Sequence, residues 1–113
     1  MLLIALALSA VTPTDRWIHV GGSTNLYEDY VDQDSVRRSG DKVTLWTRRD
    51  FVRDQGTAWN ELEFDCRMRT ETILAYIRDD GRSVSHNAVR PHREASPLPS
   101  NSVAESIFNL ACR

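Results

Sequence analysis

Catalytic signatures are what this 113-residue sequence lacks. It holds no Gly-x-Ser-x-Gly, so the exposed nucleophile of a strand–turn–helix hydrolase has no place to sit. It holds no glycine-rich loop to cradle phosphate with backbone N–H groups. Charge of one sign is scarce too: 14 Lys and Arg stand against 16 Asp and Glu, for a net charge of −2. That balance gives no global pull toward nucleic acid or acidic membranes, and blocks such as Arg48, Arg49, Asp50 and Arg53, Asp54 read as solvated strand faces and turns. Internal repeats and low-complexity tracts are absent, and the length suits one domain. Of long hydrophobic runs there is one, residues 2–11, too short to cross a bilayer and of the length of a signal h-region.

The reading that follows is a signal peptide over residues 1–11 and a single exported domain over residues 12–113. No Lys or Arg precedes the run, so its amino end carries only the Met1 amine. A buried N-terminal strand or helix is the competing reading, opposed by the loop-like Thr12, Pro13, Thr14 and Asp15. No second apolar segment is long enough to span a membrane once the first is removed. A periplasmic or secreted, cell-surface location in a bacterium is the expectation.

Cysteine is nearly absent, with two residues only. Cys66 closes an alternating segment, Leu62, Glu63, Phe64, Asp65, Cys66, and Cys112 lies one residue from the C-terminus. In an oxidising compartment the two are expected to pair, tying the C-terminal segment to a sheet. Two free thiols would follow instead if the chain were not exported.

What is present is strand patterning. Trp17, Ile18, His19 and Val20 make a first strand stopped by Gly21 and Gly22, and residues 26–31 make a second. Asp32, Gln33, Asp34 and Ser35 read as a turn or one helical turn, because Asp and Ser side chains bond nearby backbone N–H groups, with Val36 packing inward. Ser39, Gly40 and Asp41 turn the chain into residues 42–52, where Val43, Leu45, Thr47 and Phe51 share one face and Trp46 takes the other. Leu62, Phe64 and Cys66 alternate with Glu61, Glu63 and Asp65 in the next strand. Ile73, Ala75 and Ile77 have the opposite parity, so a tight turn or bulge near residues 67–69 is expected to keep both sets inside. Asp80 and Gly81 signal a hairpin into a last strand over residues 83–89. Pro91, Pro97 and Pro99 then deny regular structure to a crossover loop. From Ser102 the period changes: Ser102 and Glu105 form a capping box, and Val103, Ile107, Leu110 and Ala111 follow at helical spacing.

Candidate functional residues are few. His86 and His92 flank the end of the last strand, but their spacing matches no zinc pattern, and His19 alternates within the first strand. A small metal- or ligand-binding or hydrolytic periplasmic protein using His86 and His92 is the alternative these residues raise. Glu28, Asp29, Asp32 and Asp34 make an acidic knot without the glycine and terminal glutamate of a calcium loop, and turn formation accounts for it. Neither a metal nor a cofactor is expected. Arg67, Arg69, Arg78 and Arg82 lie on or beside one hairpin with Trp46 and Trp59 near it, and Arg and Trp dominate binding hot spots. A protein-binding face is therefore the functional expectation, and an enzyme is not.

In order and spacing these pieces resemble the bacterial surface-adhesin protein E-like family. The resemblance is carried by Trp17, Ile18, His19 and Val20 after the apolar run, by Tyr30-Val31-Asp32 followed by Ser35-Val36-Arg37-Arg38, and by the stretch from Gly40 to Trp46. Glu63-Phe64-Asp65-Cys66, and Ser102-Val103-Ala104-Glu105 ahead of Cys112, complete it. It implies an α+β fold, an antiparallel sheet of about six strands packed against one C-terminal helix and bridged to it through Cys66 and Cys112. It also implies a small exported protein whose namesake binds host extracellular-matrix proteins and can form a homodimer; envelope proteins are the other partners it suggests.

Overall fold

The computed structural model describes residues 16–53, 55–81, 84–88 and 94–113. The expected signal segment, Arg82 and His92 lie outside the described residues. Among the described residues, seven strands and one helix follow in chain order: β1 (Trp17–Ser23), β2 (Tyr27–Ser39), β3 (Lys42–Phe51), β4 (Thr57–Asp65), β5 (Thr70–Asp79), β6 (Val84–Ala88), β7 (Ser96–Pro97) and α1 (Val103–Ala111). The first six form an antiparallel meander in sequence order. The short β7 pairs with β5 through Thr70–Pro97 and Glu71–Ser96, on the part of β5 that β6 leaves unpaired. Proline is tolerated there because an edge position requires no donor from it, so the expected irregular loop contributes a strand after all.

Period-2 alternation decides the two faces. Val31 on β2, Val43 and Leu45 on β3, and Leu62 and Phe64 on β4 point one way and are almost fully buried. Against them α1 sets Ile107 and Phe108, and the Phe64 and Phe108 rings meet edge to face at 5.7 Å. Val20, Val36, Leu98, Val103 and Leu110 close the margins of this core. At Gly21 an added Cβ would come within 3.1 Å of Val103, so the bare backbone lets the helix start close to β1.

The helix begins where the serine signal places it. Ser102 Oγ accepts from Glu105 N at 3.1 Å, and Glu105 reaches back, though its carboxylate lands on Asn101 N at 3.0 Å rather than on the cap residue itself. At the other end Cys112 N donates to Phe108 O at 2.8 Å and its sulfur bonds to Cys66. The Cα atoms of the bridged pair lie 5.5 Å apart, within the range a disulfide spans without moving the backbone.

Two irregularities re-aim the strands. Between Asp32–Trp46 and Arg37–Thr44, β2 sets residues 33–36 against Leu45 alone. Asp32 Oδ1 accepts from Asp34 N at 3.0 Å, Ser35 Oγ donates to Asp32 O at 2.7 Å, and Ser35 Oγ accepts from Trp46 N at 2.8 Å. The stretch read as a turn is thus a bulge within one long strand. The second irregularity is in β5, where Glu61 pairs with Ala75 but Leu62 pairs with Ile73, leaving Leu74 extra. The expected tight turn, at residues 66–69, does bring odd-numbered Ile73 opposite Leu62, and the extra Leu74 then reverses the parity, so that Ala75 and Ile77 pair with Glu61 and Trp59. The hydrophobic sets are also not both inside: Ile73 joins Leu62 on the helix side, and Ile77 joins Trp59 on the opposite face.

Gly56 completes the β3–β4 connection at φ +93°, and a Cβ there would sit 1.9 Å from Asp79 O. Only glycine fits that approach.

Candidate functional site: the uncovered face of the sheet

The helix covers one side of the sheet, and the alternation that fills that side sends every tryptophan to the other. Register builds the open face as three rungs. The first reads Trp17, Asp32, Trp46, Glu61 and Ala75 across β1 to β5. The second reads His19, Tyr30, Arg48, Trp59 and Ile77, and the third carries Glu28, Asp50, Thr57, Asp79 and Val84. Trp46 and Trp59 are diagonal neighbours on adjacent strands, close enough for large rings to interact.

Between these side chains lies a shallow groove of about 470 Å³, lined by Arg16, Trp17, Asp32, Trp46, Trp59, Ile77, Asp79 and Val84. Its apolar stripe crosses the strands from β1 to β6, five spacings or about 24 Å. None of its three tryptophans is fully buried, and Val84 is 54% exposed. A stripe of partly exposed indoles across the sheet has the composition of an interface centre, where aromatic residues concentrate.

Charge on this face is organised around the rings. Arg48 stacks between Trp17 and Tyr30, its guanidinium carbon 4.8 Å and 4.4 Å from the two ring centroids. Its Nε also lies 3.1 Å from Asp50 Oδ1, an ion pair without hydrogen-bond alignment. Arg16 forms a salt bridge to the buried Asp32 through Nη2, with Nε of the same guanidinium 3.1 Å from the same oxygen. That hydrogen bond, reinforced by Asp34 N and the guanidinium charge, holds the Asp32 carboxyl below the usual carboxylate range despite burial, which pushes the other way.

A depressed carboxyl stabilises the fold above its unfolded pKa of about 3.9, and the contribution is lost as pH falls through the lower folded value. The stability difference between wild type and Asp32→Asn is therefore expected at full size near neutrality and to close on acidification below about pH 4. Urea titrations across that range check it. A gap that stays constant with pH would contradict the ion-pair account.

Of the arginines expected beside these tryptophans, the described ones, Arg67, Arg69 and Arg78, are elsewhere. Arg78 pairs in register with Ala58 on the helix side, lies 4.1 Å from the Phe51 centroid and donates to Gln55 O at 2.8 Å. Arg69 ties the helix down, 3.3 Å from Glu105 Oε2 and 4.7 Å from the Phe108 centroid. Arg67 is exposed in the β4–β5 turn, its N–H bonded to Asp65 Oδ1 at 3.0 Å. The structure brings Trp46 and Trp59 together and separates them from Arg69 and Arg78. Trp17, Tyr30 and Arg48 are the partners that sequence reasoning passed over; their shared even or odd parity on paired strands was the available signal.

The acidic knot is divided by the same alternation. Asp29 faces the helix side and takes a two-pronged bond from Arg49 at 2.7 Å and 2.9 Å, whereas Glu28 and Asp32 lie on the open side of the sheet, where Asp32 lines the groove. His86 pairs with Ile77 in β6, and His19 contacts Glu28 at 2.5 Å. Among the described residues no three His, Cys, Asp or Glu side chains converge as metal ligands. A second hollow of about 250 Å³ lies beside α1, bounded by Arg49, Asn60, Glu71, Tyr76 and Ile107. Burial alone pushes the Glu71 carboxyl up there.

No helix among the described residues is long and apolar enough to cross a membrane. No curated protein matches the sequence. Solved structures do match the fold. Haemophilus influenzae protein E in its crystal form II superposes with a TM-score of 0.63 at 11% identity, over 90% of this chain and 89% of that one. Another Haemophilus influenzae protein E structure gives 0.63 at 12% identity, over 90% and 86%. Protein E from non-typeable Haemophilus influenzae gives 0.58 at 11%, over 90% and 77%. At such identities the likeness speaks for the fold. The family is identified by sequence, since the model described as surface-adhesin protein E matches residues 17–113, and the chain therefore belongs to the surface-adhesin protein E family.

Proposed function

We propose that this chain is an exported, non-enzymatic surface protein that binds another protein through the uncovered tryptophan face. The observation that carries the reading is the placement of Trp17, Trp46 and Trp59 together on the one side of the sheet that the helix leaves open. Burying three indoles in the helix-side core would have stabilised the domain; leaving them partly exposed serves recognition instead. Family membership supports adhesion as the biological setting, with host extracellular-matrix or envelope proteins as the partner class. Removal of the segment before residue 12 is part of the same reading, and the intact mass of the mature protein checks it.

The test is binding of the mature domain to a panel of purified matrix and envelope proteins, with Trp46→Ala/Trp59→Ala beside wild type. A central aromatic pair is expected to contribute about 2 kcal/mol or more, so the variant should bind at least about 30-fold more weakly. Its circular dichroism should be unchanged. Undiminished binding by a folded variant would move the interface off this face.

A further inference from the structure

The groove carries its own example of how a cation is held on this face. Arg48 lies between Trp17 and Tyr30 and against Asp50, which joins ring stacking to a carboxylate in one arrangement. Across β3, β4 and β5 the same residue types recur without a cation stacked on them among the described residues: Arg48 stands opposite Trp59 in register, but its guanidinium lies over Trp17 and Tyr30. Trp46 and Trp59 are diagonal neighbours; Glu61 stands directly opposite Trp46, and Asp79 lines the groove near Trp59 and Ile77.

Charge accounting shows the imbalance. Three other carboxylates of this face are matched by Arg or Lys: Asp32 with Arg16, Asp50 with Arg48, and Glu63 with Lys42 at 3.6 Å. Asp79 spends Oδ1 on Gly81 N at 2.9 Å, and among the described residues neither it nor Glu61 meets a cation. Two carboxylates without counter-ions beside two partly exposed indoles make a site of negative potential with π-faces, the chemistry that selects a guanidinium.

We infer that the open face takes an arginine-bearing polypeptide segment, a guanidinium stacking on Trp46 and Trp59 with Glu61 and Asp79 as its counter-ions. This rests on the reading of that face as the binding surface and names the chemistry of its partner. The stripe's length of about 24 Å admits about seven residues of extended chain at about 3.3 Å each. Arginine suits the site better than lysine, since its planar head is weakly hydrated and stacks on rings.

The probe is an eight-residue alternating glycine–arginine peptide, followed by tryptophan fluorescence of the mature domain. Controls are the same peptide with citrulline, which keeps the planar shape without the charge, and cellohexaose, a neutral sugar chain that also stacks on indoles. The arginine peptide is expected to bind at least about tenfold more tightly than the citrulline peptide, with the difference shrinking as salt rises. Glu61→Gln/Asp79→Asn should abolish that preference while leaving the fold intact, because the introduced carboxamide oxygen can still accept from Gly81 N.

Equal binding of the arginine and citrulline peptides would overturn the inference, as would no response to the arginine peptide at roughly 1 mM. So would tighter binding of cellohexaose, in favour of a glycan. If Trp46→Ala/Trp59→Ala loses a protein partner that Glu61→Gln/Asp79→Asn still binds normally, the face remains the interface and only its guanidinium chemistry is wrong. If the tryptophan variant keeps that partner, the proposed function itself fails.

Discussion

Replacing both bridged cysteines, as Cys66→Ser/Cys112→Ser, is expected to lower the melting temperature by roughly 15–30 °C. The bridge closes a loop of 46 residues in sequence separation. In the chain-entropy model, freeing a loop of that size costs the fold about 4 kcal/mol. A domain this small has only about 5–15 kcal/mol in total, so the loss is a large share. The native state adds a second reason. Cys66 sits on a fixed point, its N–H bonded to Asp41 O at 2.8 Å and the following turn held by Asp65 Oδ1 accepting from Arg67 N and Met68 N. Cys112 caps a helix of nine residues, a length that is marginal in water without docking. The variant should therefore lose helical circular dichroism before the sheet melts. Wild type in excess reductant should approach the variant's melting temperature. A decrease smaller than about 5 °C would mean that the helix-side core alone holds the domain.

Local physics made much of this architecture readable from sequence. Alternation from Leu62 to Cys66 specified a half-buried strand and put Phe64 in the core, where it is fully buried. Ser102 marked the helix start because a serine oxygen is one of the few groups able to take the orphan N–H of the first turn. The bulges were harder. An extra residue at Leu74 costs nothing in hydrophobic pattern, since a leucine between Ile73 and Ala75 suits either face, so no residue type announced it. Its consequence was large: Ile77 moved to the tryptophan face, Arg78 moved away from it, and the expected arginine–tryptophan surface separated into two. Asp32 and Ser35 were correctly read as bonding nearby backbone, but that chemistry makes a bulge as readily as a turn, and only the pairing of both flanks with β3 decides between them. The groove itself required six strands in register, which is a non-local property. Phe108 is buried beside Ile107, so the helix stripe facing the sheet is one position wider than Val103, Ile107, Leu110 and Ala111 alone imply.

Phe64→Ala is expected to destabilise the domain by about 3–5 kcal/mol, close to the effect of losing the disulfide. Phe64 is 0% exposed, lies opposite Val43 in register, and gives its ring edge to face to Phe108. Truncation leaves a cavity that flanking strands cannot collapse into, because their backbones are held by pairing on both sides. The aromatic pair adds about 0.5–1.5 kcal/mol beyond area burial, so Phe64→Leu should recover much of the loss but not all. Chemical denaturation of the three proteins gives the ordering; a loss below about 1 kcal/mol for Phe64→Ala would contradict the packing described. Combination with Cys66→Ser/Cys112→Ser should be less than additive, since both changes loosen the same contact between α1 and β4 and the first to act removes part of what the second disrupts. Trp46→Ala, on the face the helix does not cover, should cost far less stability than Phe64→Ala while acting on binding. That contrast follows from one alternation: residues of one parity on β3 and β4 hold the fold, and their neighbours one position along lie on the face the helix leaves uncovered.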